Sequence, residues 1–301
     1  MSVRTRLGVC ALLGAWAVCP ARAAEKSRKV FVSVDMEGVA GVVTGDQLGP
    51  PGFEYERFRA FMTTEALAAI EGARAAGATE FVVADSHGNG ENLLIEKFAK
   101  DTRIVRSWPR PLAMMEGIDA TFEAVIFIGY HASTVNPQGV RAHTFSSATL
   151  ADVRLNGASV TEAAFNAAIA GHFGVPVVMI SGDDAFVKEA RSVLPDAEAA
   201  AVKSAISFHA AATLTPEAAC DLIREKARRG VERAREIKPW KVAEPTTLEL
   251  RFKNYRPAQL LAYLTTVQQT DAHAIRFRGQ DILEVSRFLE FVTNYEPGLS
   301  P

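Results

Sequence analysis

The fold is decided by the stretch 29–38, which reads Lys-Val-Phe-Val-Ser-Val-Asp-Met-Glu-Gly. Its first six residues form an apolar, β-branched run, which is typical of a buried strand in a parallel sheet. Two acidic residues, Asp35 and Glu37, follow where the run ends. If the chain stays extended here, side chains two positions apart point the same way, so both carboxylates can reach one site. In an open α/β sheet, ligands collect at the carboxyl ends of the strands. The stretch therefore predicts a buried strand that delivers two carboxylates to a site.

Strand and helix patterns alternate along the chain after this stretch. The predicted strands cover residues 80–84, 103–105, 124–129, 150–155 (with the alternation of an exposed strand) and 176–181, and the predicted helices cover residues 55–76 and 160–173. Asp183 and Asp184 are expected to cap the next helix. This alternation predicts an α/β fold with a mostly parallel sheet and helices on both faces.

The pattern changes from about residue 239. A linker-like segment, 239–245, is followed by a half-exposed strand, a helix, a second strand and a last helix, predicted at 248–252, 257–264, 274–277 and 281–295. We therefore predict a metal-binding catalytic domain over residues 24–240 and a small α+β lobe over residues 241–301.

The first 23 residues have the composition of a cleavable signal peptide. Arg4 and Arg6 precede an apolar run over residues 7–18, and Ala21-Arg22-Ala23 offers a cleavage site. The run is too short for a comfortable membrane span. We expect an exported protein, periplasmic or secreted, with no membrane attachment after cleavage. The mature chain keeps one cysteine, Cys220, which the surrounding helical pattern predicts to be buried and structural.

The charge of the chain argues against two classes of partner. The formal net charge is −2 over 301 residues, and no basic run with interleaved aromatic residues is present. We therefore expect no binding to nucleic acid or to anionic lipid surfaces.

Acidic and histidine side chains recur where other predicted elements begin or end. His87 and His131 follow predicted strands, and Glu162 opens a predicted helix. With Asp35 and Glu37 they form a set of oxygen and nitrogen donors without sulfur, which favours zinc, with manganese and cobalt as alternatives. Paired metals can clamp the attacking and the developing oxygen of a hydrolytic reaction. These residues predict a two-metal hydrolytic site.

Three of these residues also have a simpler interpretation. Asp35 could cap a turn, His131 could be a core histidine bonded to backbone, and His87 could pair with Asp85. His143 follows a loop that contains proline and glycine, and it is either a general base or nucleophile or an ordinary solvated histidine. Lys203 is expected to be an ion-pair partner or a contact for a substrate carboxylate.

Five motifs together resemble the DppA family of D-aminopeptidases, the M55 metallopeptidases. They are Ser33-Val34-Asp35-Met36-Glu37-Gly38, Asp85-Ser86-His87, Gly129-Tyr130-His131-Ala132, Gly139-Val140-Arg141-Ala142-His143 and Gly182-Asp183-Asp184. The resemblance extends from about residue 29 to about residue 295. It implies a zinc enzyme that removes N-terminal D-amino acids, D-alanine above all, from short peptides and amides. It also implies a ring-shaped homodecamer.

The resemblance further implies a role for each site residue. Asp35 matches the carboxylate that bridges two Zn²⁺ ions per chain. Glu37 and His131 match ligands of one zinc, and His87 and Glu162 match ligands of the other. His143 matches the active-site nucleophile of the family.

Two other functions remain open on the residues alone. A secreted protein that binds peptides or cell-wall fragments through structural metals would also carry a signal peptide and an α/β fold. A dinuclear phosphoesterase would use similar ligands, although no basic residue is regularly placed in the metal motifs to contact a phosphate.

Overall fold

The computed structural model describes Met1 and residues 28–295, so the predicted signal segment lies outside the described residues except for Met1. The strands are β1 Lys29–Val34, β2 Glu80–Asp85, β3 Thr102–Val105, β4 Phe122–Tyr130, β5 Leu150–Leu155, β6 Ala158–Ser159, β7 Val177–Asp183, β8 Glu198–Ser207, β9 Ala210–Thr213, β10 Thr246–Phe252, β11 Val267–Asp271 and β12 Ala274–Gly279. The α-helices are α1 Tyr55–Ala75, α2 Glu162–His172, α3 Asp184–Ala190, α4 Pro216–Glu232, α5 Tyr255–Leu261 and α6 Ile282–Asn294.

The larger sheet has seven strands in the order β3-β2-β1-β4-β7-β8-β9. Every pair is parallel except β8 with β9, so the predicted mostly parallel sheet is confirmed. The predicted covering of both faces is also confirmed. One face of β1, with Val30 and Val32, packs in a core with α1 and α4, and the other face, with Phe31, packs in a core with α2.

The order of the strands reverses direction at β1. The chain goes from β1 to β2 on one side, and β4 then pairs on the other side. Crevices at such a reversal are the usual ligand sites of open α/β sheets. In the two pairings, Val34 stands opposite Asp85 and opposite Ile128. The residues that follow these three positions therefore emerge at one edge of the sheet.

The second sheet has five antiparallel strands in the order β11-β12-β10-β5-β6. Its strands β5 and β6 come from the middle of the chain, so the predicted boundary at residue 240 does not separate the two sheets. Four of the six β5 residues are buried, more than the predicted exposed alternation implies, because β10 and the shared core cover this strand. The apolar residues of this sheet and of α2 belong to one core.

Besides the two-residue strand β6, three strands lie where the residue pattern does not indicate them: β8, β9 and β11. β8 contains Ala199, Ala200 and Ala201, and alanine has a low strand propensity. Pairing with β7 and packing against α4 decide its conformation instead. Among the described residues, none of the helices is both long and apolar enough to span a membrane.

Candidate metal centre

Four of the five predicted ligand residues lie at the ends of elements that meet at one sheet edge, and the fifth, Glu37, lies in the turn after β1. Asp35 directly follows β1, His87 comes two residues after β2, and His131 directly follows β4. Glu162 is the first residue of α2, where the Thr161 side chain caps the helix by accepting a hydrogen bond from the Ala164 N–H group. The structure therefore brings all five together, as the sequence predicts.

The turn after β1 differs from the extended conformation that the sequence predicted. The strand ends at Val34, and residues 36–41 form bends and turns. The two carboxylates still reach the same imidazole: His87 Nδ1 lies 3.2 Å from Asp35 Oδ1 and 2.9 Å from Glu37 Oε2. Their convergence therefore depends on the tertiary contacts of the turn and not on strand geometry.

Two glycines allow β1 and β4 to end so close together. A Cβ atom on Gly129 would lie 2.2 Å from the Asp35 carbonyl oxygen, and Gly129 has a φ of +72°. A Cβ atom on Gly38 would lie 2.0 Å from the Tyr130 carbonyl oxygen, and the Gly38 N–H group donates to Gly129 O at 2.6 Å. Side chains at either position would push the Asp35 turn away from His131.

The cluster is buried and closely spaced. Asp35 is 2% exposed and His131 is 1% exposed. His131 Nε2 lies 3.2 Å from Asp35 Oδ2 and 3.5 Å from Glu162 Oε1. On the other side of the ring, Nδ1–H donates to the carbonyl oxygen of Ala132 at 3.0 Å, which leaves Nε2 as the nitrogen that faces the carboxylates.

Electrostatic interactions couple the carboxylates to the imidazoles. Burial alone would lower the pKa values of His87 and His131, but the charges of Glu37 and Glu162 respectively raise them well above the ordinary histidine value. Burial raises the pKa of Asp35, and the charge of Glu37 raises it further. For Glu37 the charge of His87 outweighs burial and holds the pKa well below its usual range. A divalent cation bound by these atoms would displace the imidazole protons.

The donor set fits a metal site. The candidate ligand atoms of Asp35, Glu37 and His131 lie within 4.8 Å of one another, and so do those of His131, His143 and Glu162. The first group is the one that the resemblance assigns to one zinc. His131 Nε2 is buried and makes no hydrogen bond, so this nitrogen is available to a ligand. Three carboxylates and two imidazoles without sulfur match the ligands that zinc accepts.

His143 lies beside the cluster on the loop between β4 and β5. Its ring stacks on that of His131 with the centroids 4.0 Å apart and an interplanar angle of 9°. Its Nδ1–H group donates to the Arg141 carbonyl oxygen at 2.8 Å. Nε2 is therefore the nitrogen that carries the lone pair of the neutral ring, and this atom lies 3.9 Å from Glu162 Oε1. His143 is thus placed as the sequence predicts, next to the candidate ligands.

The backbone on either side of His143 is strained. Arg141 and Phe145 have positive φ angles, +54° and +60°, which are uncommon for residues other than glycine. The Phe145 N–H group donates to Glu162 Oε1 at 2.6 Å, and the His143 N–H group donates to Ala132 O at 3.1 Å. These bonds hold a conformation that the local sequence disfavours, as is common at functional sites.

A cavity of about 350 Å³ opens beside the cluster. Four of the predicted ligands, Asp35, Glu37, His87 and Glu162, line this cavity together with His143. Its wall also includes Trp108, Met114, Phe145, Glu290, Thr293 and Asn294. The last three belong to α6, so the small lobe closes the far wall of the cavity. Burial raises the pKa of Glu290 to about 7. The sequence analysis missed these wall residues, because no local pattern links α6 to strands more than 150 positions away.

The other singled-out residues take structural positions. Asp183 caps α3, as predicted, by accepting from the Phe186 N–H group, whereas Asp184 is the first residue of that helix. Cys220 is half-buried in α4. Lys203, expected as an ion-pair partner, donates hydrogen bonds to three backbone carbonyl oxygens.

Comparison with known proteins agrees with this site. Residues 28–291 match the Peptidase M55 family, described as D-aminopeptidase. A D-aminopeptidase of Bacillus subtilis (strain 168) is 34% identical over 269 residues, which is 88% of this chain and 96% of that protein. A solved structure, the Zn-dependent D-aminopeptidase DppA from Bacillus subtilis, a self-compartmentalizing protease, is similar with a TM-score of 0.84 and 33% identity over 88% of this chain and 96% of the other. This chain belongs to the M55 family of D-aminopeptidases.

Proposed function

We propose that this protein is a dinuclear zinc aminopeptidase that removes N-terminal D-amino acids, D-alanine in particular, from short peptides or amides. The observation that carries the proposal is the convergence of three buried carboxylates and two imidazoles at one sheet edge, beside a cavity. The zinc dependence of the similar solved protein supports the choice of metal. A cavity of about 350 Å³ suits a short peptide, because it is at the small end of ligand pockets.

In this proposal Asp35, Glu37 and His131 hold one zinc, and Asp35, His87 and Glu162 hold the other. The bound ions supply Lewis-acid chemistry, which polarises the scissile carbonyl and makes water more acidic. The protein excludes bulk water from these groups, since all five are buried.

We assign the proton transfer to His143. Its Nε2 lone pair faces the cluster, so it can accept a proton from the attacking water as the new C–O bond forms. The same nitrogen then returns the proton to the leaving amine as the C–N bond breaks. Direct attack by Nε2 on the carbonyl carbon, the nucleophilic alternative, would form an acyl-imidazole that rapid-quench mass spectrometry would detect.

The activity is tested with purified, zinc-loaded protein on D-alanyl-p-nitroanilide and D-Ala-D-Ala, with the L-enantiomers as matched controls. We expect release of D-alanine, little turnover of the L-forms, and loss of activity that zinc restores after chelation. A protein that binds D-Ala-D-Ala without releasing D-alanine would be a binding protein with structural metals. Hydrolysis of p-nitrophenyl phosphate in place of the amides would indicate a phosphoesterase.

Export and ring assembly are part of the proposal. The signal-like segment 1–23 supports export. The test is to sequence the N-terminus of the protein recovered from the medium or the periplasm, and a start at Ala24 is expected.

The similar solved protein is a self-compartmentalizing protease, and exposed apolar side chains such as Phe53 and Tyr263 would suit an assembly surface. Light scattering should give the mass of ten copies; a monomer would reject this part.

A further inference from the structure

The turn that carries Glu37 winds around one buried ammonium group. Lys203 lies in β8 and is 2% exposed. Its Nζ atom donates to three backbone carbonyl oxygens, those of Glu37 at 2.5 Å, Val39 at 3.0 Å and Val42 at 2.6 Å. A lysine ammonium has three N–H donors, so the turn uses all of them. All three acceptors are backbone atoms, so these bonds join the lysine to the backbone of the turn and not to its side chains.

Other contacts hold the turn from the remaining sides. The Ala40 N–H group donates to Glu65 Oε1 of α1 at 2.9 Å, and the Gly38 N–H group donates to Gly129 O at 2.6 Å. Among these contacts, the one from Lys203 is made to the carbonyl group of the candidate ligand Glu37 itself. The direction in which the Glu37 side chain leaves the backbone is therefore tied to the position of the ammonium group.

The neighbouring position on β7 makes an analogous contact with the His143 loop. Asp183 stands opposite Lys203 in the β7–β8 pairing. Besides capping α3, its carboxylate accepts a hydrogen bond from the Val140 N–H group at 2.7 Å, three residues before His143. Adjacent charged residues on two strands thus bond to two of the loops that face the cavity.

Stability alone is a weak reason for a lysine at this place. Burial of an ammonium group carries a desolvation penalty that is offset only when all its donors are bonded. A well-packed apolar residue of similar length often stabilises a core as much or more. The specific contribution of the lysine is the geometry that it imposes on three carbonyl groups.

We propose that Lys203 is a positioning residue of the zinc site, which sets the turn that directs Glu37 toward the metal without touching the metal. This inference rests on the proposed function, because it takes Glu37 as a zinc ligand. It goes beyond that function in assigning the shape of the site to a strand that contributes no ligand.

The test compares zinc binding by the wild-type chain, Lys203→Met and Val202→Ala. Methionine has a similar length but no N–H donor. Val202 is a fully buried neighbour on β8 whose side chain carries no hydrogen-bond donor, so its truncation destabilises the core without removing a bond to the carbonyl groups of the turn. Zinc content is measured by mass spectrometry across a series of buffered free-zinc concentrations. Thermal unfolding is followed in chelator and in zinc.

We expect both variants to unfold at lower temperature in chelator, and only Lys203→Met to bind one of its two zinc ions at least tenfold more weakly. Lys203→Gln, which keeps two N–H donors, should have an intermediate affinity, and it replaces the methionine variant if that one does not fold. Wild-type zinc affinity in the lysine variants, with only the unfolding temperature lowered, would overturn the inference. A wild-type chain that binds no zinc would instead reject the proposed function, and this role with it.

Discussion

Replacement of His143 by alanine should separate catalysis from metal binding. Its Nδ1–H group is bonded to Arg141 O at 2.8 Å, so Nε2 is the atom that can accept a proton. Loss of a general acid–base group lowers the rate by about 10²–10⁴-fold, which corresponds to about 3–5 kcal/mol in the activation free energy. The ring also stacks on His131, and loss of such a contact lowers stability by only about 0.5–1.5 kcal/mol. Activity should therefore fall far more than stability.

The assay measures kcat/KM on D-alanyl-p-nitroanilide, zinc content per chain and urea unfolding for His143→Ala. His273→Ala is the matched control, because His273 lies in the turn between β11 and β12 and does not line the cavity. We expect two zinc ions per chain in both variants and a rate loss only in the first. A His143 variant that keeps more than a tenth of the wild-type kcat/KM would refute its role in proton transfer. Loss of one zinc ion would make His143 a ligand instead, consistent with its proximity to His131 and Glu162.

Three further substitutions test other parts of the structure. Glu37→Gln should lower the zinc content by one ion per chain in mass spectrometry, whereas Glu290→Gln, the same change elsewhere in the cavity, should leave it at two. Gly129→Ala should lower the free energy of unfolding in urea by more than Gly157→Ala. Gly157 has a similar φ of +86° but open space around it, so its substitution should cost about 1–2 kcal/mol. The cost at Gly129 should be clearly larger, because its Cβ atom would meet the Asp35 backbone. The pKa of Glu290 is raised to about 7, so the native state holds a proton that the unfolded state releases near pH 4.5. The contribution of Glu290 to the free energy of unfolding should therefore fall as the pH rises from about 4.5 to 7, by up to about 3 kcal/mol. Glu290→Gln should remove that part of the pH dependence in unfolding experiments; an unchanged profile would contradict the assignment.

The convergence of Asp35, His87, His131 and Glu162 could be predicted from the sequence because each follows or opens an element with a clear pattern. β1 and β4 are apolar runs, and Asp35 and His131 come directly after them. Parallel strands align their carboxyl ends, so a local pattern was enough to predict a shared edge. The motifs indicated the family, and the resemblance to that family implied a zinc enzyme.

The predictions that failed concern features without a local signal. The extended path from Asp35 to Glu37 was wrong because the chain turns after β1, and this turn is bonded through three carbonyl groups to Lys203, 166 positions from Glu37. β8 was not indicated because its alanines favour no strand, and only its pairing with β7 makes it one. β5 belongs to the same sheet as the C-terminal strands because β10 pairs with it.

By itself, the sequence determined which residues are candidates for the site and in which order the elements supply them, because periodicity and residue type act over a few neighbouring positions. Only the tertiary structure decided how Glu37 is aimed, which tautomer His143 adopts and that α6 closes the cavity with Glu290. Each of these depends on hydrogen bonds or burial between segments that are distant in the chain, and such contacts exist only once the sheets have packed together.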